Sequence, residues 1–424
     1  MSRLVISGGK RLSGAYAPGG NKNAVLPMLA ACVLTDEPVV LHNVPLIQDV
    51  TTMLEILEHL GVSADLKDHT VRLCAKGLRK SRLPADLCRR VRSSILFAGP
   101  LAARLGRATL FPPGGDVIGR RRLDTHFEGL RALGIDIEGG HHFSFRRRSF
   151  AGARILLDEA SVTATENVVM AAVIAPGATT IFNAACEPHV QDLCRLLAQM
   201  GASIQGIGTN YLRIEGVGAL HGAEYSIQPD HTEIGSFLVA AAVTGGELTV
   251  EPAAPEHMAG IERVFGKLGI RWITENGRLQ LRPRQKLRIV KDFGSSLPKV
   301  EDGVWPSFPS DLMSVAIVAA SQASGTALFF EKMFESRMYF VDRLIEMGAR
   351  IVQCDPHRVV VVGPSRLHGT HLASPDIRAG MAMIIASLCA KGTTTIDNAD
   401  SIDRGYEKVE EKMRSLGADI VREP

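Results

Sequence analysis

Residues 22–61 read KNAVLPMLAACVLTDEPVVLHNVPLIQDVTTMLEILEHLG, one whole cycle of the pattern that decides the fold. Residues 22–34 are apolar nearly all round, as a helix buried on every side must be. Residues 36–44, DEPVVLHNV, turn and then run as a short strand rich in β-branched and apolar residues. From Val50 the apolar positions Met53, Leu54, Leu57 and Leu60 recur at helical spacing, which predicts an amphipathic helix with one face in a core. Gly61 follows at once, placed to close that helix in the left-handed conformation.

The cycle recurs five more times. Leu133-Gly134, Met200-Gly201, Leu268-Gly269, Met347-Gly348 and Leu416-Gly417 repeat the closing pair at intervals of about seventy residues, longer than the common solenoid periods. GRATLFPPG, GATTIFNAA, GELTVEPAA, GTALFFEKM and GTTTIDNAD repeat the turn and strand. An apolar helical stretch precedes each of these, as in ENVVMAAVIAPG and TEIGSFLVAAAVTGG. A further element, strand–Gly–Leu–Gly, appears in LVISGGKRLSGA, LRIEGVGALHGA and VVVVGPSRLHGT. The unit is therefore βαβαββ-like, and six such units divide most simply into two α/β domains of three. Residues 4–7 are expected to join the C-terminal domain and complete its last repeat. An irregular stretch, residues 282–304, lengthens the fifth.

At 424 residues the chain is too long for one ordinary core, which agrees with two domains. A hydrophobic content of 46% with 22% charged residues is that of a soluble globular protein. The formal charge of +3 and the scarcity of aromatics other than Phe give no nucleic-acid footprint. Neither a signal peptide nor a run long enough to cross a membrane is visible. Seven cysteines without a C-x-x-C pair read as reduced thiols of a cytoplasmic protein, and no histidine spacing suggests a metal site. No cofactor is expected.

Polar residues stand at the start of each buried helix: Lys22 and Asn23, Arg92, Thr165 to Asn167, Asp230 to Glu233, Ser310 and Asp311, and Asp376 with Arg378. Equivalent helices in a pseudo-symmetric domain point the same way, so these groups gather at one end. That end carries unpaired N–H groups and a positive partial charge, and it attracts phosphate and carboxylate. Asn21, Thr165, Asp230, Ser310 and Asp376 are equally placed to cap their helices. Lys22, Arg92 and Arg378 have the wrong sign for capping, which points to a shared anion.

A second stretch, PPGGDVIGRRRLDTH at 112–126, sets an acid, Asp116, behind two glycines and just before Arg120, Arg121 and Arg122. An acid on a Gly-rich loop beside an arginine cluster suits proton transfer to an anionic substrate under a lid. A solvated charge run on an exposed turn is the plainer alternative.

With GGNKNA at 19–24, PGGDVIGRRRLDTH at 113–126, FPSD at 308–311, FESR at 334–337, DIRAG at 376–380 and DSIDRGYEKVEEK at 400–412, the chain resembles the enolpyruvyl transferases. Within them it is most similar to the branch acting on UDP-N-acetylglucosamine in peptidoglycan synthesis. The resemblance implies a two-domain inside-out α/β barrel of six repeats. The first domain would be residues 22–228 with a lid loop at 111–122, the second residues 1–21 plus 229–424, and the active site would lie in the cleft between them. It implies transfer of the enolpyruvyl group of phosphoenolpyruvate to the 3-hydroxyl of UDP-N-acetylglucosamine with release of phosphate. The partners are then phosphoenolpyruvate and a UDP-sugar, with no nucleic acid and no membrane.

Carried over position by position, the resemblance makes Asp116, Lys22, Asp311 and Arg404 catalytic. Lys22, Arg121 and Arg404 would hold and polarise phosphoenolpyruvate, with Arg92, Arg337 and Arg378 around its phosphate and carboxylate. Asn23 and Asp311 would contact the sugar. Arg121, Arg122, Leu123, Asp124 and His126, with Ser161, Val162 and Met333, would surround the nucleotide sugar, and Asp376 would line the site. Asp116 stands at a lid position that is Cys in many members. Arg122, Thr163, Cys186 and His189 depart from the usual Pro, Gly, basic residue and Glu, all in the part that handles the acceptor. Two rivals follow: the same transfer to another nucleotide or nucleotide sugar, and a catalytically silent binding paralogue. Retention of Lys22, Asp311 and Arg404 argues against the second.

Overall fold

The computed structural model describes residues 2–116 and 118–424; Val117, inside the 113–126 motif, lies outside the described residues. The chain divides into two compact units, one of residues 20–116 and 121–228, the other of residues 2–19, 118–120 and 229–424. Each has its own hydrophobic core. The first border falls two residues earlier than the repeats suggest. The Asn21 N–H donates to the Gln228 carbonyl, and Gly20 lies so close to Asn43 that a Cβ would stand 1.8 Å from its carbonyl oxygen. Residues 118–120 of the expected lid join the other unit, where the Ser336 N–H donates to the Ile118 carbonyl and the Arg120 N–H to Glu335 Oε1.

Six small sheets share one plan. A central strand pairs parallel on one side with a strand from a neighbouring repeat, and antiparallel on the other with the first of two further strands. In the first sheet Val39–His42 pairs parallel with Ala223–Ser226 and antiparallel with Thr70–Cys74, beyond which lies Ser63–Lys67. In the second, the parallel partner shrinks to a single bridge from Arg82 to Thr109. Ser13–Tyr16 supplies the parallel strand to Glu247–Val250, and Arg3–Ser7 lies between Thr393–Asp397 and Asp419–Glu423, as its place in the repeat predicts. Among the described residues no sheet closes on itself; within each unit the buried helices pack against one another beneath the sheets.

Those interior helices are the apolar stretches. Lys22–Ala31 is buried except at Asn23, His231–Val243 except at Val243, and Ile377–Cys389 except at Cys389. The amphipathic helices lie outside them and end at the predicted glycines, all six with φ between 81 and 99°. Gly61 is doubly constrained, since a Cβ there would also lie 2.5 Å from the Gly77 carbonyl oxygen. Among the described residues no helix is long and apolar enough to cross a membrane.

Candidate active site

In the unit of residues 20–228, Asn21 caps the first buried helix: its Oδ1 accepts from the Asn23 and Ala24 N–H groups at 2.8 and 3.2 Å. The cap brings Lys22 to the helix end, 8% exposed, with Nζ 2.9 Å from Asp49 Oδ2. An anion is thus not needed to account for this buried cation, and Asp49 is a site neighbour that the sequence reading missed. Its one signal is an acid beside Val50 on the apolar stripe of the following helix. Lys22→Ala should destabilise the protein by about 3 kcal/mol, the scale for removing one partner of a buried pair. Urea unfolding would show it, with part recovered when Asp49→Ala is added; an unchanged midpoint would mean that the pair contributes nothing.

Arg92 opens the 3₁₀ turn Arg92–Phe97 ahead of the helix Ala98–Leu105. Its guanidinium donates to the carbonyls of Arg121 at 2.7 Å and Arg122 at 3.4 Å, tying the arginine run to this helix start. Burial, and then the charge of Arg121, pull its pKa down to about 10. The Gly-rich loop lies against the same segment. The Gly114 N–H donates to the Cys88 carbonyl, and Cβ atoms on Gly114 and Gly115 would fall 1.7 Å from Arg89 O and 2.9 Å from Arg92 Cβ. Only glycines let Asp116 leave from so close to Arg92.

Arg122 is ion-paired to Asp158 at 2.8 Å, and Thr125 donates to the other oxygen of Asp158 at 2.6 Å. Leu123 and Asp124 lead into the helix Asp124–Ala132. His126 is 1% exposed. The Asn167 amide donates to its Nδ1 at 3.1 Å, so Nε2 carries the hydrogen and donates to Thr163 at 3.0 Å. Burial, and then Arg92, push His126 down to about 3, so the ring is neutral and braces two helices. The helix Val162–Ala172 is capped by Ser161; Thr165, placed in the sequence either to cap or to serve the site, lies a turn inside and donates to the Ser161 carbonyl. Burial, and then Glu187, raise the Glu166 carboxyl well above the carboxylate range.

In the other unit, Asp311 lies between two buried guanidinium groups, 3.0 Å from Arg337 Nη2 and 2.7 Å from Arg378 Nη2. Its own side chain remains 28% exposed, which leaves it reachable from solvent. Arg378, like Lys22, therefore has a carboxylate partner. Asp376 caps Ile377–Cys389 by accepting from the Arg378 and Ala379 N–H groups at 2.8 and 2.9 Å. Below Arg378 lies the Tyr406 ring, 5.3 Å from the guanidinium carbon, with its hydroxyl 3.0 Å from Ser236 Oγ. Ser310 is not a cap; its hydroxyl donates to the buried carboxyl of Glu331. Arg404 ends the 3₁₀ turn Ala399–Arg404 and is half-buried, while Met333 is exposed. A cavity of about 900 Å³ beside Trp272 and Arg288 contains none of these residues.

What the two units present is a set of cations on helix starts, each held by a neighbour, together with acids on a loop and at a helix start. Cations set at helix starts beside such acids suit anionic substrates and proton transfer, the needs of a group-transfer enzyme. The chain belongs to the EPSP synthase (3-phosphoshikimate 1-carboxyvinyltransferase) family, whose model matches residues 6–413. Among its relatives, the UDP-N-acetylglucosamine 1-carboxyvinyltransferase of Bradyrhizobium diazoefficiens is 53% identical, covering 100% of this chain and 98% of that one. Those of Treponema denticola (52%, 99% of each chain) and Treponema pallidum (51%, 100% of each chain) bear the same name. In fold the chain is similar to the enolpyruvyl transferase NikO from Streptomyces tendae, with a TM-score of 0.88, 24% identity and coverage of 99% and 98%. It is also similar to EPSP synthase from Acinetobacter baumannii, with a TM-score of 0.78, 18% identity and full coverage of both chains.

Proposed function

We propose that this chain transfers the enolpyruvyl group of phosphoenolpyruvate to the 3-hydroxyl of UDP-N-acetylglucosamine and releases phosphate, the first committed step of peptidoglycan precursor synthesis. The observation that carries the reading is Asp311, an accessible carboxylate held between Arg337 and Arg378. The guanidinium groups on both sides hold it in place, and a carboxylate so aimed can take a proton from an attacking hydroxyl. Full-length relatives about half identical in sequence and named for this reaction support it.

In this mechanism Asp116 protonates the methylene carbon of phosphoenolpyruvate, and positive charge builds on the adjacent carbon. The sugar oxygen bonds to that carbon as Asp311 takes its proton. Loss of a methyl proton then restores the double bond as the carbon–oxygen bond to phosphate breaks. Lys22, Arg92, Arg121, Arg337, Arg378 and Arg404 neutralise the phosphate and carboxylate of the donor, cations set in place before charge develops. Lys22, Arg92 and Arg121 belong to one unit and Arg337, Arg378 and Arg404 to the other. The same reading makes the protein a cytoplasmic enzyme of cell-wall biogenesis, and so of cell shape and division.

The test is phosphate release from phosphoenolpyruvate across UDP-N-acetylglucosamine, other UDP-sugars and free nucleotides. Release with UDP-N-acetylglucosamine alone is expected, and Asp311→Asn should lower it by about a hundredfold or more. The departures at Arg122, Thr163, Cys186 and His189 favour a different acceptor as the second reading. Faster release with another nucleotide would select it.

A further inference from the structure

The irregular stretch at 282–304 ends in a short strand, Lys299–Glu301, running parallel to Gly325–Phe330 with Glu301 opposite Phe330. One step further along that register, Asp302 stands beside Glu331. Both are buried, at 1% and 0% exposure, on strands paired up to the preceding residue. Asp302 Oδ1 accepts from the Lys332 N–H at 2.6 Å, while Oδ2 receives no hydrogen bond from any described donor. The Glu331 carboxyl accepts from Ser310 Oγ, 2.9 Å from Oε2 and 3.0 Å from Oε1, and Oε1 also accepts from the N–H groups of Met333 and Phe334 at 3.2 and 3.1 Å. Its Oε2 lies 3.8 Å from Arg337 Nε.

Two adjacent buried negative charges are costly, and a proton between them removes one charge and gives the unpartnered Asp302 Oδ2 a hydrogen bond. With one proton the pair carries a single negative charge. Pair, Arg337, Asp311 and Arg378 then alternate in sign and sum to zero. We propose that Asp302 and Glu331 share one proton and act as a positioning pair, fixing the 332–337 loop and, through Arg337, aiming Asp311. The inserted stretch thus gains a role: it carries the acid that completes a buttress behind the site. The inference rests on the reading of Asp311 given above.

Its test counts charge. Glu331→Gln and Asp302→Asn each leave one negative charge and supply a donor between the two side chains. Each should keep kcat/KM within about fivefold of wild type, whereas Glu331→Ala should lose about a hundredfold. Combining Asp302→Asn with Glu331→Gln removes the charge facing Arg337 and should cost at least tenfold more than the product of the two single changes. A merely structural pair would not show that excess. If either single isosteric change is as damaging as Glu331→Ala, or if the double change is multiplicative, the shared-proton pair is wrong.

A second measurement stands apart from activity. Burial, and then Asp302, raise Glu331 from 4.5 to about 9. Other groups facing it are Arg337, with Asp311 beyond, and the His357 ring, whose Nδ1 lies 2.7 Å from the Glu331 carbonyl oxygen. A raised folded-state pKa gives stability that is complete below pH 4.5 and is lost as pH rises towards 9. Glu331→Gln lacks that titration, so its melting temperature should gain on wild type between pH 5 and 9. A constant difference over that range overturns the proposal even if wild type shows no transfer to UDP-N-acetylglucosamine, a result that would refute only the functional reading.

Discussion

Arg404→Ala should melt cooperatively near the wild-type temperature and yet lose enolpyruvyl transfer by about a thousandfold, the upper range for removing one preorganised charged donor. The turn Ala399–Arg404 is anchored without this side chain. Ala399 and Ile402 are buried, and Asp403 is paired with Arg422 at 2.7 Å. The Arg404 side chain is only half-buried, so its removal opens no large cavity. Lys22→Ala makes the contrasting case, because it strands Asp49 in the interior. Steady-state rates beside a thermal melt decide the matter. A melting temperature that falls in step with activity would make Arg404 structural and remove it from the donor clamp.

The second large effect concerns Asp116. Fosfomycin alkylates the cysteine usual at this lid position, and a carboxylate is a far poorer nucleophile towards its epoxide than a thiolate. Wild-type enzyme is expected to keep full activity on prolonged incubation with the drug, whereas Asp116→Cys should be active and lose its activity with first-order kinetics. Asp116→Ala should be inactive, since the loop then carries no acid. The glycines that lay this loop against Arg89 and Arg92 are untouched by either change. Time-dependent inactivation of wild type would sink the assignment of Asp116 to that position. An active Asp116→Ala would sink its role as the acid.

The repeats were legible because they are local. Apolar helices, glycine stops and strand segments recur within about seventy residues, and their order alone predicts two units of three. Residues 4–7 were placed by the same logic, for the last repeat lacked a strand. Caps at Asn21, Asp230 and Asp376 were legible too, each lying just before its helix. The roles of Ser310 and Thr165 were not legible because a hydroxyl near a helix start has several acceptors in reach, and tertiary partners decided both. Ser310 turns to Glu331, and Thr165 also accepts from the Ala185 N–H. Opposite charges for Lys22 and Arg378 come from Asp49 and Asp311, 27 and 67 residues away in sequence. Pairings at such range leave no periodic trace. That both nitrogens of His126 are engaged inside the protein was not legible either, since Thr163 and Asn167 lie 37 and 41 residues away.

The placement of the strand Arg3–Ser7 between Thr393–Asp397 and Asp419–Glu423 also has a temporal side. On the ribosome it emerges well before either of its partners. At about 5–20 residues per second, nearly four hundred intervening residues take roughly 20–80 s. For that time Leu4 and Ile6, both fully buried in the finished protein, have no native sheet to join. Residues 20–228, in contrast, contain every strand of their own three sheets and can close as soon as Ala223–Ser226 is made. Residues 20–228 can thus mature early, while the other unit must keep the strand Arg3–Ser7 unpaired until those distant partners are made.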